Sequence, residues 1–228
     1  MEKLKVIKNY YNDKNAYLKE HADFFSKADI KKEVKFLKSA LDLQKSDTIL
    51  DIACGQGRHS NYLAAAGYHV DGVDFSNNLL KLAKEKSFKT KNRPHYFLSN
   101  ILNFHPKHKY RKAYWLFADL AQMEPKEIAF SLKNIVSING TLLLDFDNLF
   151  RLTSAMAIKN FPNLYLDVIN CRLHDKKIGI SAPYLTILQW KEVFQKHGFT
   201  LINCYGNYGK QKYELQSPRM IMKFKKTA

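Results

Sequence analysis

Apolar and polar positions along this chain change period several times, and each change marks an element. Ile30, Val34, Leu37 and Leu41 recur at helical spacing, which predicts an amphipathic helix over about 29–44. Thr48–Ile52 (TILDI) is a short apolar run that reads as a buried strand. It enters a glycine turn, Gly55–Gly57, and then a helix over Arg58–Ala66 that Gly67 stops as a C-cap. His69–Val73 is a second strand ending at Asp74. Ser76 suits the N-cap of the next helix, which carries Leu79, Leu80, Leu82 and Ala83. Strands are expected at Tyr96–Leu98, Ala113–Phe117 and Thr141–Phe146, with a helix over Glu127–Ser137 and a turn at Asn139-Gly140 before the last of these. Segment 150–183 reads as a helix followed by irregular or short-strand structure. A helix over about 185–197, stopped by Gly198, precedes strands Phe199–Tyr205 and Arg219–Phe224, joined by a hairpin-like return from Gly206 to Pro218.

Short apolar strands alternating with helices predict an α/β fold, a doubly wound and mostly parallel sheet covered on both faces. The 228 residues fit one domain, and no Pro/Gly/Ser-rich linker or internal repeat divides them. Within that domain, 1–45 reads as an N-terminal helical arm, 46–146 as a ligand-binding core, 147–183 as a short lid segment and 184–228 as a C-terminal helix and strand pair.

Hydrophobic residues make up 46% and charged residues 25%, which excludes collagen-like, disordered and disulfide-scaffold chains. No apolar run approaches the roughly 18 residues needed to span a bilayer. The Lys-interrupted start lacks a secretory signal, so a soluble, cytoplasmic protein is expected. Cys54, Cys171 and Cys204 are odd in number and form no CxxC pair, so neither a disulfide framework nor a metal site is expected. The formal net charge of +16 invites an RNA-binding reading. It rests on 31 lysines and only six arginines, however, whereas phosphate and base readers favour the planar arginine fork.

The segment ILDIACGQGRHSNYLAAAGYHVDGVDFS carries the chemistry. A buried strand runs into Ala53-Cys54-Gly55-Gln56-Gly57, whose small residues let the backbone turn tightly and approach a ligand. The following helix aims unpaired N–H groups and its positive dipole end at the same place. Asp74, about 20 residues on, stands where an acid can accept hydrogen bonds from both hydroxyls of a ribose. The expected ligand is an adenosine-type nucleoside with a polar tail. A dinucleotide fingerprint would need a third glycine where Ser60 stands.

The pattern Asp51-x-Ala53-x-Gly55-x-Gly57, followed by GVDFS, closely resembles motif I of the class I S-adenosylmethionine-dependent methyltransferases. The resemblance extends over most of the chain, including HGF before the sixth strand and SPR opening the seventh. It implies a Rossmann-like seven-stranded sheet whose last strand in sequence is antiparallel, with S-adenosylmethionine as cofactor and S-adenosylhomocysteine as product. It further implies that the Ala53–Gly57 loop, Cys54 included, passes beneath the methionine part and that Asp74 holds the ribose. Phe75 would lie against the adenine, Asn100 would meet its amino group, and the Ile101 N–H would reach the ring. Phe117 and Ala118 would flank the methionine end, and Tyr10 and Tyr11 would cover the cofactor. Asp119 is the candidate general base. Cys54 reads as a small filler, His59 as a helix-start residue, and His105 and His108 as solvated.

The acceptor is less marked. WLFADLAQM, at the end of strand four, is not the N/D-P-P-Y/F/W of nucleic-acid aminomethyltransferases. No Pro-Cys nucleophile occurs, and Glu124 and Glu127 are too close together for the paired glutamates of arginine methyltransferases. The expectation is in-line methyl transfer to an N or O nucleophile of a small molecule. An RNA or protein methyltransferase using the basic surface is the alternative, and a non-catalytic cofactor-binding subunit is a second.

Overall fold

A computed structural model describes residues 27–87, 92–118, 123–158, 161–177 and 179–228. The helix expected over 29–44 is α1 (Lys27–Ala40), and it ends before Asp42 turns left-handed. The chain then alternates through β1 (Thr48–Ile52), α2 (Arg58–Ala65), β2 (His69–Asp74), α3 (Asn77–Glu85) and β3 (His95–Leu98). A 3-10 turn at Ile101–Asn103 leads to β4 (Tyr110–Trp115), α4 (Pro125–Ile135) and β5 (Val136–Asp147). Then come α5 (Leu149–Ile158), the short strands β6 (Leu164–Asp167), β7 (Arg172–Asp175) and β8 (Ile180–Pro183), α6 (Ile187–Gln195), β9 (Phe199–Tyr205) and β10 (Arg219–Lys226).

Seven strands form the main sheet in the order β3-β2-β1-β4-β5-β10-β9. β10 runs antiparallel to both neighbours, β5 and β9, while β1 pairs in parallel with β2 and β4. This is the doubly wound sheet with an antiparallel last strand that the alternation and the resemblance predicted. Successive side chains of one strand serve opposite cores. Leu50 and Ile52 join the face packed with Ile128, Leu132, Trp190 and Phe194, whereas Ile49 joins the face packed with Leu37, Leu41 and Leu63. Phe146 stacks on Trp190 with centroids 4.7 Å apart, which fixes α6 against the sheet.

Several caps match the expected punctuation. Ser76 Oγ accepts the Leu79 N–H, and Gly67 and Gly198 both take the left-handed conformation that stops the preceding helix. Thr186 and Gln189 form a reciprocal capping box at the start of α6.

Two local expectations are corrected. Strand four was placed at Ala113–Phe117, but β4 ends at Trp115 because Phe117 turns left-handed (φ 53°). The turn at Asn139-Gly140 does not separate a helix from a strand. β5 begins at Val136 and absorbs the turn as an irregularity, with Val136 facing Tyr110 and Thr141 facing Lys112. Asn139 supplies the left-handed residue of that bulge (φ 61°).

Segment 150–183, read from sequence only as a helix and irregular or short-strand structure, contains a second sheet, the antiparallel meander β6-β7-β8. Arg172 ties it to the main body. Its Nη1 donates to Glu124 at the start of α4 (2.8 Å), and its other nitrogens hold Ser181 on β8. Among the described residues, no helix is long and apolar enough to cross a membrane.

Candidate active site

The site lies at the carboxyl ends of β1, β2, β4 and β5. Leaving β1, the backbone takes left-handed conformations at Ala53, Gly55 and Gly57 (φ 51°, 53° and 71°), every second residue of the loop. Gly57 has no room for a side chain, because a Cβ there would run into the Tyr96 hydroxyl and come within 2.9 Å of the Ala83 Cβ. Gly55 differs. A Cβ there would meet only Leu79 at 3.9 Å, so this backbone borders open space where a ligand can approach. Ala53 holds its positive φ without glycine's freedom, at a cost of about 1–2 kcal/mol.

Asp74 closes the other side of the loop. It is buried, and its two carboxylate oxygens accept the backbone N–H groups of Gly55 and Ser76, each at 2.8 Å. Burial raises its pKa to about 6 against the pull of those N–H donors, with Asp51 adding a smaller push upward. The Phe75 N–H also lies in its field, and the carboxylate keeps acceptor capacity for a further donor such as a ribose hydroxyl. The open backbone at Gly55 and this fixed acid fit an adenosine-type cofactor.

Asp51 does not face that space directly. It is buried on the α1–α2 side, where its Oδ2 accepts the Ser60 hydroxyl at 2.5 Å, and burial raises its pKa. Cys54 is also buried, and burial followed by the charges of Asp51 and Asp74 pushes its thiol well above the ordinary range, which disfavours a thiolate nucleophile. Asn100 caps the 3-10 turn, its Oδ1 accepting the Leu102 N–H at 2.9 Å, and Ile101 is buried behind it. Phe75 and Phe117 are half-buried, as is Ala118. Tyr10, Tyr11 and Asp119 lie outside the described residues. His105 and His108 are exposed.

The structure adds two groups that the sequence reading did not place in the site. On α1, Glu33 is buried and pairs with both residues that open α2, reaching Arg58 Nη1 at 3.2 Å and His59 Nε2 at 2.7 Å. Its position three residues after Ile30 and four before Leu37 puts it on the apolar face of the helix, a signal that it needs a buried partner.

The second group centres on Asp145, fully buried in β5. It receives Arg219 Nε at 2.8 Å, the Tyr208 hydroxyl at 2.6 Å and the Phe117 N–H at 3.0 Å. Arg219 also reaches Asp147. Although burial opposes it, the paired carboxylates hold the Arg219 guanidinium above its ordinary pKa. The signal was an acid inside the otherwise apolar run TLLLDF. Nearby, the Tyr184 hydroxyl lies in the field of Asp147 and Arg219 and is buried without a hydrogen-bond partner among the described residues.

Residues 49–138 match the model of a family described as the methyltransferase domain. A ubiquinone biosynthesis O-methyltransferase of Hydrogenovibrio crunogenus is 35% identical over 65 residues, 28% of this chain and 27% of that protein, so the chain matches about a quarter of that relative's length. The CcbJ methyltransferase of Streptomyces caelestis superposes with a TM-score of 0.74 at 17% identity, covering 96% of this chain and 98% of that one. A Burkholderia thailandensis 1,6-didemethyltoxoflavin-N1-methyltransferase, solved with 1,6-didemethyltoxoflavin and S-adenosylhomocysteine, does so with a TM-score of 0.66 at 13% identity, covering 100% of this chain and 90% of that one. At such identities the structural likeness speaks for the fold alone. The Asp51–Gly57 motif and the Gly55–Asp74 cradle both lie inside the matched span, so residues 49–138 are a methyltransferase domain, and the whole chain shares the fold of the solved methyltransferases.

Proposed function

We propose that this chain transfers the methyl group of S-adenosylmethionine to a nitrogen or oxygen of a small-molecule acceptor. The observation that carries the cofactor half is the Asp74 carboxylate, held by the Gly55 and Ser76 N–H groups beside an open glycine backbone. In this reading the Ala53–Gly57 loop, with Cys54 as filler, runs under the methionine part and Asp74 takes the ribose hydroxyls. Phe75, Asn100 and Ile101 surround the adenine, and Phe117 and Ala118 border the methionine end. When bound, the cofactor supplies an already activated methyl group, so the protein's task is alignment of the acceptor atom in line. A neutral acceptor must lose a proton, and Asp119 is the proposed base. Tyr10 and Tyr11 are the proposed cover, and segment 147–183 the lid.

Two observations support a small acceptor. Four of the six arginines pair with acids of this same chain: Arg58 with Glu33, Arg111 with Asp47, Arg172 with Glu124, and Arg219 with Asp145 and Asp147. That leaves few forks for phosphates. The unpartnered Tyr184 hydroxyl beside Asp147 and Arg219 offers a hydrogen bond to a polar acceptor. The names of the ubiquinone-pathway and toxoflavin relatives, one acting on oxygen and one on N1, fit the same class.

The test begins with calorimetric titration of S-adenosylmethionine, S-adenosylhomocysteine and, as control, NAD. Binding of the two sulfur nucleosides and not NAD is expected. Labelled methyl groups are then offered with a panel of phenols and aromatic amines or with bulk RNA. Transfer to a small molecule with little salt dependence supports the proposal. Labelled RNA, with binding that weakens steeply with salt, overturns the small-molecule half. Cofactor binding with no transfer to any acceptor points to the non-catalytic reading.

A further inference from the structure

Phe117 combines a strained backbone with an unusual number of restraints. Its φ of 53° lies in the left-handed region, which a bulky non-glycine residue leaves unless its surroundings hold it there. Four restraints do so. The Phe117 N–H donates to Asp145 Oδ2 at 3.0 Å, and the next N–H, of Ala118, donates to the Asp145 carbonyl at 2.9 Å. The Phe117 ring lies under two guanidinium groups, with the Arg58 Cζ 4.7 Å and the Arg219 Cζ 4.9 Å from its centroid. The Tyr208 ring stands 5.9 Å away and sends its hydroxyl to the same Asp145 carboxylate.

These restraints come from opposite ends of the chain. Arg58 is the first residue after the glycine loop. Asp145 belongs to β5, Tyr208 to the return between β9 and β10, and Arg219 opens β10. Because β1 pairs with β4, Asp51 opposite Tyr114, the Phe117 turn and the glycine loop leave the sheet side by side. The Arg58–Phe117 contact shows that they meet.

We propose that Asp145, Arg219 and Tyr208 are positioning residues, which lock the turn at Phe117 so that its ring borders the amino-acid end of the cofactor. This rests on the cofactor reading given above. The three side chains act through Phe117, and Arg219 does double duty by neutralising Asp145 and covering the ring. Loosening the lock would release the turn, so the cost should fall on ligands that carry the amino-acid tail and spare those that end at the thioether.

The test uses the full chain and two ligands, S-adenosylhomocysteine and 5′-methylthioadenosine, titrated calorimetrically against wild type, Arg219→Lys and Tyr208→Phe. Arg219→Lys keeps the charge and removes the planar fork; Tyr208→Phe removes one hydroxyl and no charge, and serves if the lysine variant fails to fold. The expected result is an affinity for S-adenosylhomocysteine lowered about tenfold in Arg219→Lys and less in Tyr208→Phe, the scale of a charge-assisted hydrogen bond. Methylthioadenosine affinity should stay at the wild-type value in both. Equal losses for the two ligands would mean a merely structural role, and no loss for either would mean no role; both overturn the proposal. Wild-type protein that binds neither ligand would bring down the cofactor reading itself, a result distinguishable from either.

Discussion

Gly55 donates its backbone N–H to the Asp74 carboxylate at 2.8 Å, so the acid that ends β2 is bonded directly to the glycine loop that leaves β1. One carboxylate therefore shapes the loop, and in the proposed function it also takes the ribose. Asp74→Ala should weaken S-adenosylhomocysteine binding by about 1.5–3 kcal/mol, the scale of a charge-assisted hydrogen bond. Unchanged affinity in calorimetry would refute the ribose assignment.

The same residue predicts a pH dependence with two signs. Burial raises Asp74 to about 6, so the folded chain holds this proton more tightly than the unfolded chain. Its contribution to stability is therefore fully present below about 4 and is lost as pH rises through about 6. Under the proposed ribose contact, cofactor binding runs the other way, because hydroxyls would donate to the ionised carboxylate. Affinity should fall as pH drops below about 6, by up to about tenfold per unit. Titrations between pH 5 and 8 check this, and Asp74→Asn should flatten the profile.

Gly57→Ala places a methyl group against the Tyr96 hydroxyl and the Ala83 side chain at φ 71°. A loss of stability of about 1–3 kcal/mol is expected. Urea unfolding measures it, and a wild-type midpoint would show that the loop can shift without cost.

Ala53→Gly should have the opposite sign. Ala53 already sits at φ 51° and is exposed, so glycine relieves backbone strain without removing a packed side chain. Stability should rise by up to about 1 kcal/mol. A lower thermal midpoint would mean that the methyl group makes a contact worth more than the strain.

Glu33→Gln should cost about 1.5–3 kcal/mol, because the buried carboxylate serves both Arg58 and His59 at the start of α2. Denaturant titration of the variant checks the value. An effect under about 0.5 kcal/mol would show that the pair is as weak as an exposed one.

Much of this was legible in the chain because it is local. The period of Ile30, Val34, Leu37 and Leu41 marks a helix, TILDI marks a strand, and Gly67, Ser76 and Gly198 mark helix ends through their own backbone preferences. Asp51, the glycine loop and Asp74 lie within 24 consecutive residues, and their spacing alone places them at adjacent strand ends. The left-handed turn at Phe117 was not legible, because nothing in an aromatic residue predicts positive φ. It exists because Asp145, 28 residues away, offers an acceptor to its N–H. Nor could the sequence show that Asn139 would be absorbed into β5, since pairing with β4 overrides its turn preference.

The sequence by itself thus determined the alternation of elements, the parallel sheet and the glycine loop beside Asp74, since each depends on short-range periodicity and on backbone preferences at fixed spacing. Only the tertiary structure decided which charges meet: Glu33 with Arg58 and His59 across 25 and 26 residues, and Asp145 with Tyr208 and Arg219 across as many as 74. A buried carboxylate announces in sequence that it needs a partner. Which partner it takes depends on the order in which the strands are laid side by side.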